Sequence, residues 1–254
     1  MQGFINWMLD RGLAIATVNH KLKTVKVYAA LAAKSGVIPT DEYTLIRTVV
    51  GFAPKEFSRV DAKRTTTRTS GKKAQSTVLR PAQVADLKVQ PSTPQGVRDQ
   101  LLMCLLLDHG LRAEEVAELP VTAIDTKSGE LRVYRGKVDK TQTHKLTAAT
   151  LRAWVAYQPY APGIGFMLRG SRKGGSLDDT RMSTRAIYNR VGVLGEAIGI
   201  DALSPHDCRH SWATRATRAG TDPFALMQAG GWTSMQTVAK YVDETTVANE
   251  GVKL

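Results

Sequence analysis

From Lys55 to Arg80 the chain loses every apolar period. Lys55, Arg59, Lys63, Arg64, Arg68, Lys72, Lys73 and Arg80 are interspersed with Thr, Ser and Gly, and only Glu56 and Asp61 oppose them. Such a stretch reads as an extended linker, so the polypeptide is expected to fold as two pieces on either side of it. The expected division is a helical domain over 1–58, short at its start, a basic linker over 59–76, and a larger domain over 77–254. A solvated tether and a segment that follows a phosphate backbone are equally good readings of the linker. In the second reading Lys63, Arg64, Arg68, Lys72 and Lys73 are contacts, and each neutralised phosphate makes binding more salt-sensitive.

The linker is part of a wider imbalance. Thirty-five Lys and Arg against 23 Asp and Glu leave the 254-residue chain at +12. That charge suits a polyanion, most commonly nucleic acid, although a solvated basic surface or affinity for anionic lipid would look the same. No apolar run is long enough to span a bilayer, and no charged-then-apolar signal opens the chain. With only Cys104 and Cys208 present, and Cys104 in an apolar helical run, a disulfide framework is not expected. The cytosol is therefore the expected compartment, with the protein nucleoid-associated when bound to DNA.

Apolar periodicity makes the first 50 residues or so helical. Phe4, Ile5, Trp7, Met8 and Leu9 form a cluster ending at Gly12. Thr17 is placed to cap a helix in which Val18, Leu22, Val25, Ala29 and Ala32 share a face. Lys23, Lys26 and Lys34 fall on another face, which is either solvated or turned to phosphate. Beyond the linker, a strongly apolar helix over 97–109 is stopped by Gly110, and a short helix over 113–119 is closed by Pro120. Two short strands, over 130–135 and 143–147, flank a polar turn containing Lys137 and Lys140. Residues 151–157 read as helix, and 163–175 is turn-rich and basic with no element assigned. Helices follow over 184–199 and 205–219, and a last helix should carry Tyr241.

Ser204-Pro205-His206-Asp207-Cys208-Arg209-His210 combines a helix start with anion-binding groups. Ser204 is a good N-cap, Pro205 suits the first helical position, and Asp207 completes a capping-box-like pattern. His206 and Arg209, three apart, share a face near the free backbone N–H groups that favour an anion. On these residues alone an ordinary capped helix with exposed His and Arg is the better reading. His206 and His210 are four apart, but zinc wants three or four protein ligands and no third is evident, so no metal is expected. Trp232, after Gly230-Gly231, can pack on a neighbouring helix and direct its single N–H at an acceptor. Tyr241 is either half-buried structure or a nucleophile.

Taken in order, Gly-Leu-Arg-x-x-Glu at Gly110 to Glu115, His-x-x-Arg-His at His206 to His210, Gly-Gly-Trp at Gly230 to Trp232, and Tyr241 resemble the tyrosine recombinase (phage integrase) family over roughly residues 95–245. The resemblance implies a fold that is mainly α with a small antiparallel β-sheet. It also implies a two-domain DNA clamp, in which a helical core-binding domain and a recombinase catalytic domain embrace the duplex. Arg112 and Arg209 are the implied clamps on the scissile phosphate, a task suited to a planar, always-charged fork. His206 is implied to hydrogen-bond the phosphate and help move the tyrosine proton, Lys137 to protonate the leaving 5′-oxygen, and Tyr241 to form a 3′-phosphotyrosine. Lys140 shares the Lys137 turn and is the competing candidate, otherwise a DNA contact like Lys23 and Lys26. Glu115 is implied to support the pocket without touching DNA. Trp232 stands where the family most often has histidine, keeping one donor but no transferable proton.

The activity implied is site-specific recombination of double-stranded DNA without cofactor, metal or ATP. The implied assembly is a homotetramer on two DNA sites, with room for an accessory DNA-bending factor. Two other readings stay open: a type IB topoisomerase-like relaxing enzyme, and a catalytically silent, truncated integrase that only binds DNA.

Overall fold

The computed structural model describes residues 1–53, 56, 77–172 and 174–241. The linker cations Lys63, Arg64, Arg68, Lys72 and Lys73 lie outside the described residues. The chain divides into two units, Met1–Gln75 and Ser76–Leu254.

The first unit holds helices α1 (Gln2–Asp10), α2 (Ile15–Lys34) and α3 (Thr40–Thr48). Its core is small: Ile5, Met8, Val18 and Leu22, with Leu13, Val49 and Phe52 packed against them. Asn19 fastens the segment after α3 by pairing with both the N–H and the C=O of Phe52, each at 2.9 Å. Thr17 does not cap α2. The helix begins three residues earlier, after Ala14, and has no side-chain cap. The early start buries Ile15 completely, and burying such a side chain is worth about 1.5–3 kcal/mol against about 1 kcal/mol for a threonine cap. Lys26 has a local task, donating from Nζ to the carbonyl of Arg47 at the end of α3 (3.0 Å). Lys23 is exposed on α2.

The second unit is mostly helical with two small antiparallel sheets. Helix α4 (Pro81–Leu87) leads into α5 (Pro94–Asp108), in which every residue from Leu101 to Leu107 is buried. A helix apolar on all sides belongs in the centre of a core, and the large hydrophobic cluster of this unit is built around it. After Gly110 come α6 (Ala113–Ala117), β1 (Ile124–Asp125), β2 (Glu130–Arg135), β3 (Lys140–Lys145) and α7 (Ala148–Tyr157). The second sheet pairs β4 (Arg169–Ser171) with β5 (Leu177–Arg181), and α8 (Thr184–Glu196), α9 (Pro205–Arg218), α10 (Pro223–Gly230) and α11 (Met235–Val238) complete the described part.

Three further points correct or extend the sequence reading. Lys140 is not in the turn: β3 begins there and pairs with Arg135 at the closing position of the hairpin. The turn is shorter because Asp139 adopts a left-handed conformation (φ 46°), which a short polar side chain tolerates. Second, 163–175, to which the sequence reading assigned no element, contains β4. That strand shows no alternation of its own and is held by tertiary bonds. Arg98 donates to the Arg169 carbonyl (2.9 Å), and the Arg169 N–H donates to the Tyr157 hydroxyl (3.0 Å). Third, Tyr241 is not on a helix of the usual kind. Helix α11 is four residues long, and Tyr241 ends the 3-10 turn Ala239–Tyr241 that follows it.

Gly110 is a tight corner of this unit. Its φ is +60°, and a Cβ there would lie 2.2 Å from the Trp212 ring. Gly110→Ala should therefore lower stability by ~2 kcal/mol or more, combining left-handed strain with overpacking. Denaturant titration of the two proteins checks this, and a loss below 0.5 kcal/mol would contradict the clash.

Candidate active site

Helix α9 is started as its sequence requires. The Ser204 hydroxyl accepts from the Asp207 N–H (3.3 Å), and Asp207 accepts from the Ser204 N–H (3.0 Å). The other carboxylate oxygen of Asp207 receives the Thr77 N–H (2.8 Å), and Ser211 receives that of Leu79 (2.9 Å). The same helix start thus anchors the segment entering the unit. His206, on the first turn, is exposed, whereas Arg209 is only 4% exposed. The two share a face of α9, but the arginine reaches inward.

Arg209 is held from two sides. Its guanidinium donates to the carbonyls of Gly110 and Gly230, and its Cζ lies 4.6 Å from the centroid of the Trp232 ring. Burial, followed by the neighbouring Arg112, brings its pKa down to about 9, so it remains a cation at neutral pH. Trp232 follows Gly231, the left-handed residue that ends α10. The indole stacks on Tyr241 (centroids 5.3 Å apart, planes at 24°), and His210 meets the same phenol edge-on at 4.8 Å. Tyr241 is 7% exposed, and its carbonyl is fixed by the Thr217 hydroxyl (2.7 Å). Burial raises the pKa of the phenol, and Arg209 and Arg112 offset part of the rise.

Arg112 stands just before α6. Its Nη1 donates to Glu115 at 2.6 Å, and its backbone N–H donates to the other carboxylate oxygen at 2.8 Å. Burial pushes the Glu115 carboxyl up, but the Arg135 charge and the hydrogen bonds from Arg112 and Arg135 outweigh this and hold it below the ordinary range. Arg135 is fully buried beneath the pair and donates to Glu115 at 2.5 Å.

Arg112, His206, Arg209, Trp232 and Tyr241 line one cavity of about 580 Å³, joined by Glu114, Thr184, Tyr188, His210 and Lys240 among others. Five of the six residues expected to be catalytic thus converge there. The sixth, Lys137, belongs to the 3-10 turn Gly136–Val138 between β2 and β3, and its side chain lies outside the described part. Glu115 sits beneath the cavity, while Lys140 is exposed on β3 and does not line it. Sequence reasoning passed over Arg135 and the contact of His210 with Tyr241. Arg135 had a signal: it shares the inward register of β2 with Leu131 and Val133, and a charge at an inward position demands a partner. Among the described residues, no group of three His, Cys, Asp or Glu side chains could hold a metal ion.

Behind the cavity, the rings of His109 and His144 lie 5.7 Å apart, and His109 Nε2 pairs with the Thr150 hydroxyl (3.0 Å). Both imidazoles are held down to about 4. Burial is the chief cause for each, aided by His144 at His109 and by Arg135 at His144, with Asp108 and Glu115 respectively opposing. As pH falls below the ordinary value near 6.5 the unfolded chain takes up protons that the native state refuses, so stability declines until about pH 4. Between pH 7.5 and 5 the free energy of unfolding should drop by ~2 kcal/mol or more. Denaturant melts at the two pH values measure this, and unchanged stability would show that the pair protonates freely in the fold.

A mostly helical unit with two small antiparallel sheets, and an arginine-lined cavity closed by a tyrosine stacked on an indole, is the architecture of a tyrosine recombinase catalytic domain. The phage integrase family model matches residues 77–247, and the chain belongs to that family. It is 26% identical over 261 residues to tyrosine recombinase XerC of Mycobacterium sp. (strain KMS), covering 96% of this chain and 77% of the relative. It is 32% identical over 161 residues to XerC of Haemophilus ducreyi, covering 61% of this chain and 50% of the relative. Among solved structures, the Tn1549 transposon integrase bound to transposon right-end DNA superposes with a TM-score of 0.68 at 15% identity, over 96% of this chain and 80% of that one. A λ integrase dimer bound to a core site gives 0.66 at 15% identity, over 96% and 79%.

No helix among the described residues is long and apolar enough to cross a membrane.

Proposed function

We propose that this protein is a site-specific recombinase that cleaves and rejoins duplex DNA through a 3′-phosphotyrosine. The observation that carries the reading is the convergence of Arg112, Arg209, His206 and Tyr241 on one cavity. The two guanidiniums bind the non-bridging oxygens of the scissile phosphate and stabilise the charge that develops as phosphorus becomes five-coordinate. The Tyr241 oxygen attacks phosphorus and its proton leaves towards His206. The P–O5′ bond breaks, and the 5′-oxygen takes a proton from Lys137 to become a hydroxyl. One phosphodiester is exchanged for another, so rejoining to a new 5′-hydroxyl needs no ATP. Trp232, stacked on the phenol, sets the ring's orientation and can donate one hydrogen bond.

The DNA complexes named among the solved neighbours support a duplex as the partner. In this reading the first unit, the basic linker and the catalytic domain form a clamp on it, with Lys23 and the linker cations Lys63, Arg64, Arg68, Lys72 and Lys73 on the backbone. Four protomers act on two sites, and an accessory factor bends the DNA.

The test is to incubate the protein, without divalent metal, with a library of nicked duplexes and to look for a covalent protein–DNA adduct. Wild type should form the adduct and Tyr241→Phe should form none. Sequencing the trapped ends then identifies the target. Tight binding without any adduct would make the protein a silent DNA-binding relative, and relaxation of any supercoiled plasmid would favour the topoisomerase reading.

A further inference from the structure

We infer that Arg135 is a positioning residue for strand cleavage, holding the turn that carries Lys137 in register with the arginine–tyrosine cavity. The inference rests on the reading just proposed. Arg135 ends β2, two residues before Lys137, and forms the last pair of the hairpin opposite Lys140. Its guanidinium is fully buried and spreads its donors over three separate elements. Nη1 reaches Glu115 of α6 (2.5 Å), Nε reaches Gln142 of β3 (2.8 Å), and Nη2 reaches the carbonyl of Ala229 near the end of α10 (2.6 Å). Gln142 repeats the last link, donating to the carbonyl of Gln228 at 2.8 Å.

Each of those elements carries a part of the site. Glu115 is the partner of Arg112, and the end of α10 leads through Gly231 to Trp232. The corner can come this close only because residue 231 is glycine, since a Cβ there would lie 2.8 Å from Arg135 Nε. Core filling does not explain the residue. Leu131 and Val133 occupy the same inward face of β2, and burying a charge there costs more than an apolar side chain unless its bonds serve a purpose. The three-way fork ties the turn end of the hairpin to α6 and to the end of α10. Loosening it lets the turn at its tip shift against the cavity, while the surface that meets DNA stays the same.

The experiment compares Arg135→Met and Arg135→Lys with wild type and Lys137→Ala. The substrates are two matched nicked duplexes, one ordinary and one with sulfur in place of the scissile 5′-oxygen. Sulfur departs as a thiolate and needs no proton, so it bypasses the general acid. Arg135→Met should bind duplex within about twofold of wild type yet cleave the ordinary substrate about 100-fold more slowly, the cost of a misplacement near 1 Å. The sulfur substrate should restore most of that rate, as it does for Lys137→Ala, and Arg135→Lys should fall between Met and wild type. Thermal melts establish that each variant is folded, and if Arg135→Met is not, Arg135→Lys carries the same comparison. Wild-type cleavage of the ordinary duplex by a folded variant, or an equal loss on both substrates, would overturn the inference. If wild type itself cleaves neither duplex, the recombinase reading fails first and takes this one with it.

Discussion

Arg209→Lys is expected to lower the strand-cleavage rate by a factor of about 10² to 10³, the effect of removing one preorganised charge stabiliser from a transition state. The charge is kept, so duplex affinity should change little. What is lost is the fork. Arg209 uses its two terminal nitrogens to grip the carbonyls of Gly110 and Gly230, and an ammonium on a shorter stem cannot span both while still facing a phosphate. The cation also lies against the ring of Trp232, which in turn stacks on Tyr241, so the substitution loosens the support of the Tyr241 ring. Single-turnover adduct formation at saturating duplex measures the effect. A rate within fivefold of wild type would mean that Arg209 is a structural tie and that Arg112 alone stabilises the phosphate.

Glu115→Ala should be the most destabilising single change near the site, at about 3–5 kcal/mol, because it strands the buried guanidinium of Arg135 without its carboxylate. Arg135 is 0% and Glu115 7% exposed at the side chain, so water cannot take over. For a unit of this size each 1 kcal/mol moves the midpoint by roughly 2–4 °C, and a fall of about 6–20 °C is expected in a thermal melt. Glu115→Gln keeps the shape and one acceptor, so it should lose less. A melt within 2 °C of wild type for the alanine variant would show that Arg135 finds other partners. Because Glu115 also receives both the side chain and the backbone N–H of Arg112, cleavage should fall even where the protein remains folded.

Local chemistry accounts for what was legible in advance. The capped start of α9 follows from Ser204, Pro205 and Asp207, whose bonds are made within four residues of each other. The helix expected over 97–109 and found over 94–108 follows from the apolar run Leu101–Leu107, and β2 from Leu131 and Val133 alternating with polar neighbours. The relevant physics in each case acts over one or two turns of chain, so adjacent residues suffice to reveal it. The order of the short motifs also pointed to the family that the chain proves to belong to, and five of the six residues the resemblance implied as catalytic line one cavity.

The rest needed distant parts of the chain to meet. The β4 strand, in a stretch to which the sequence reading assigned no element, is held by Arg98 and Tyr157, which reach it from other elements. The start of α2 is set by burial of Ile15 and not by the nearest threonine. Arg135 shows the limit most clearly: its place in β2 is local information, but its partners Glu115 and the Ala229 carbonyl lie 20 and 94 residues away in the chain. The amino-acid order thus determined the short motifs that place the chain in its family and most of the elements that carry them. Packing alone decided which carbonyls grip Arg209, what covers Tyr241 and what Arg135 joins, because hydrogen bonds and ring contacts depend on separations of a few ångströms that chain spacing does not encode.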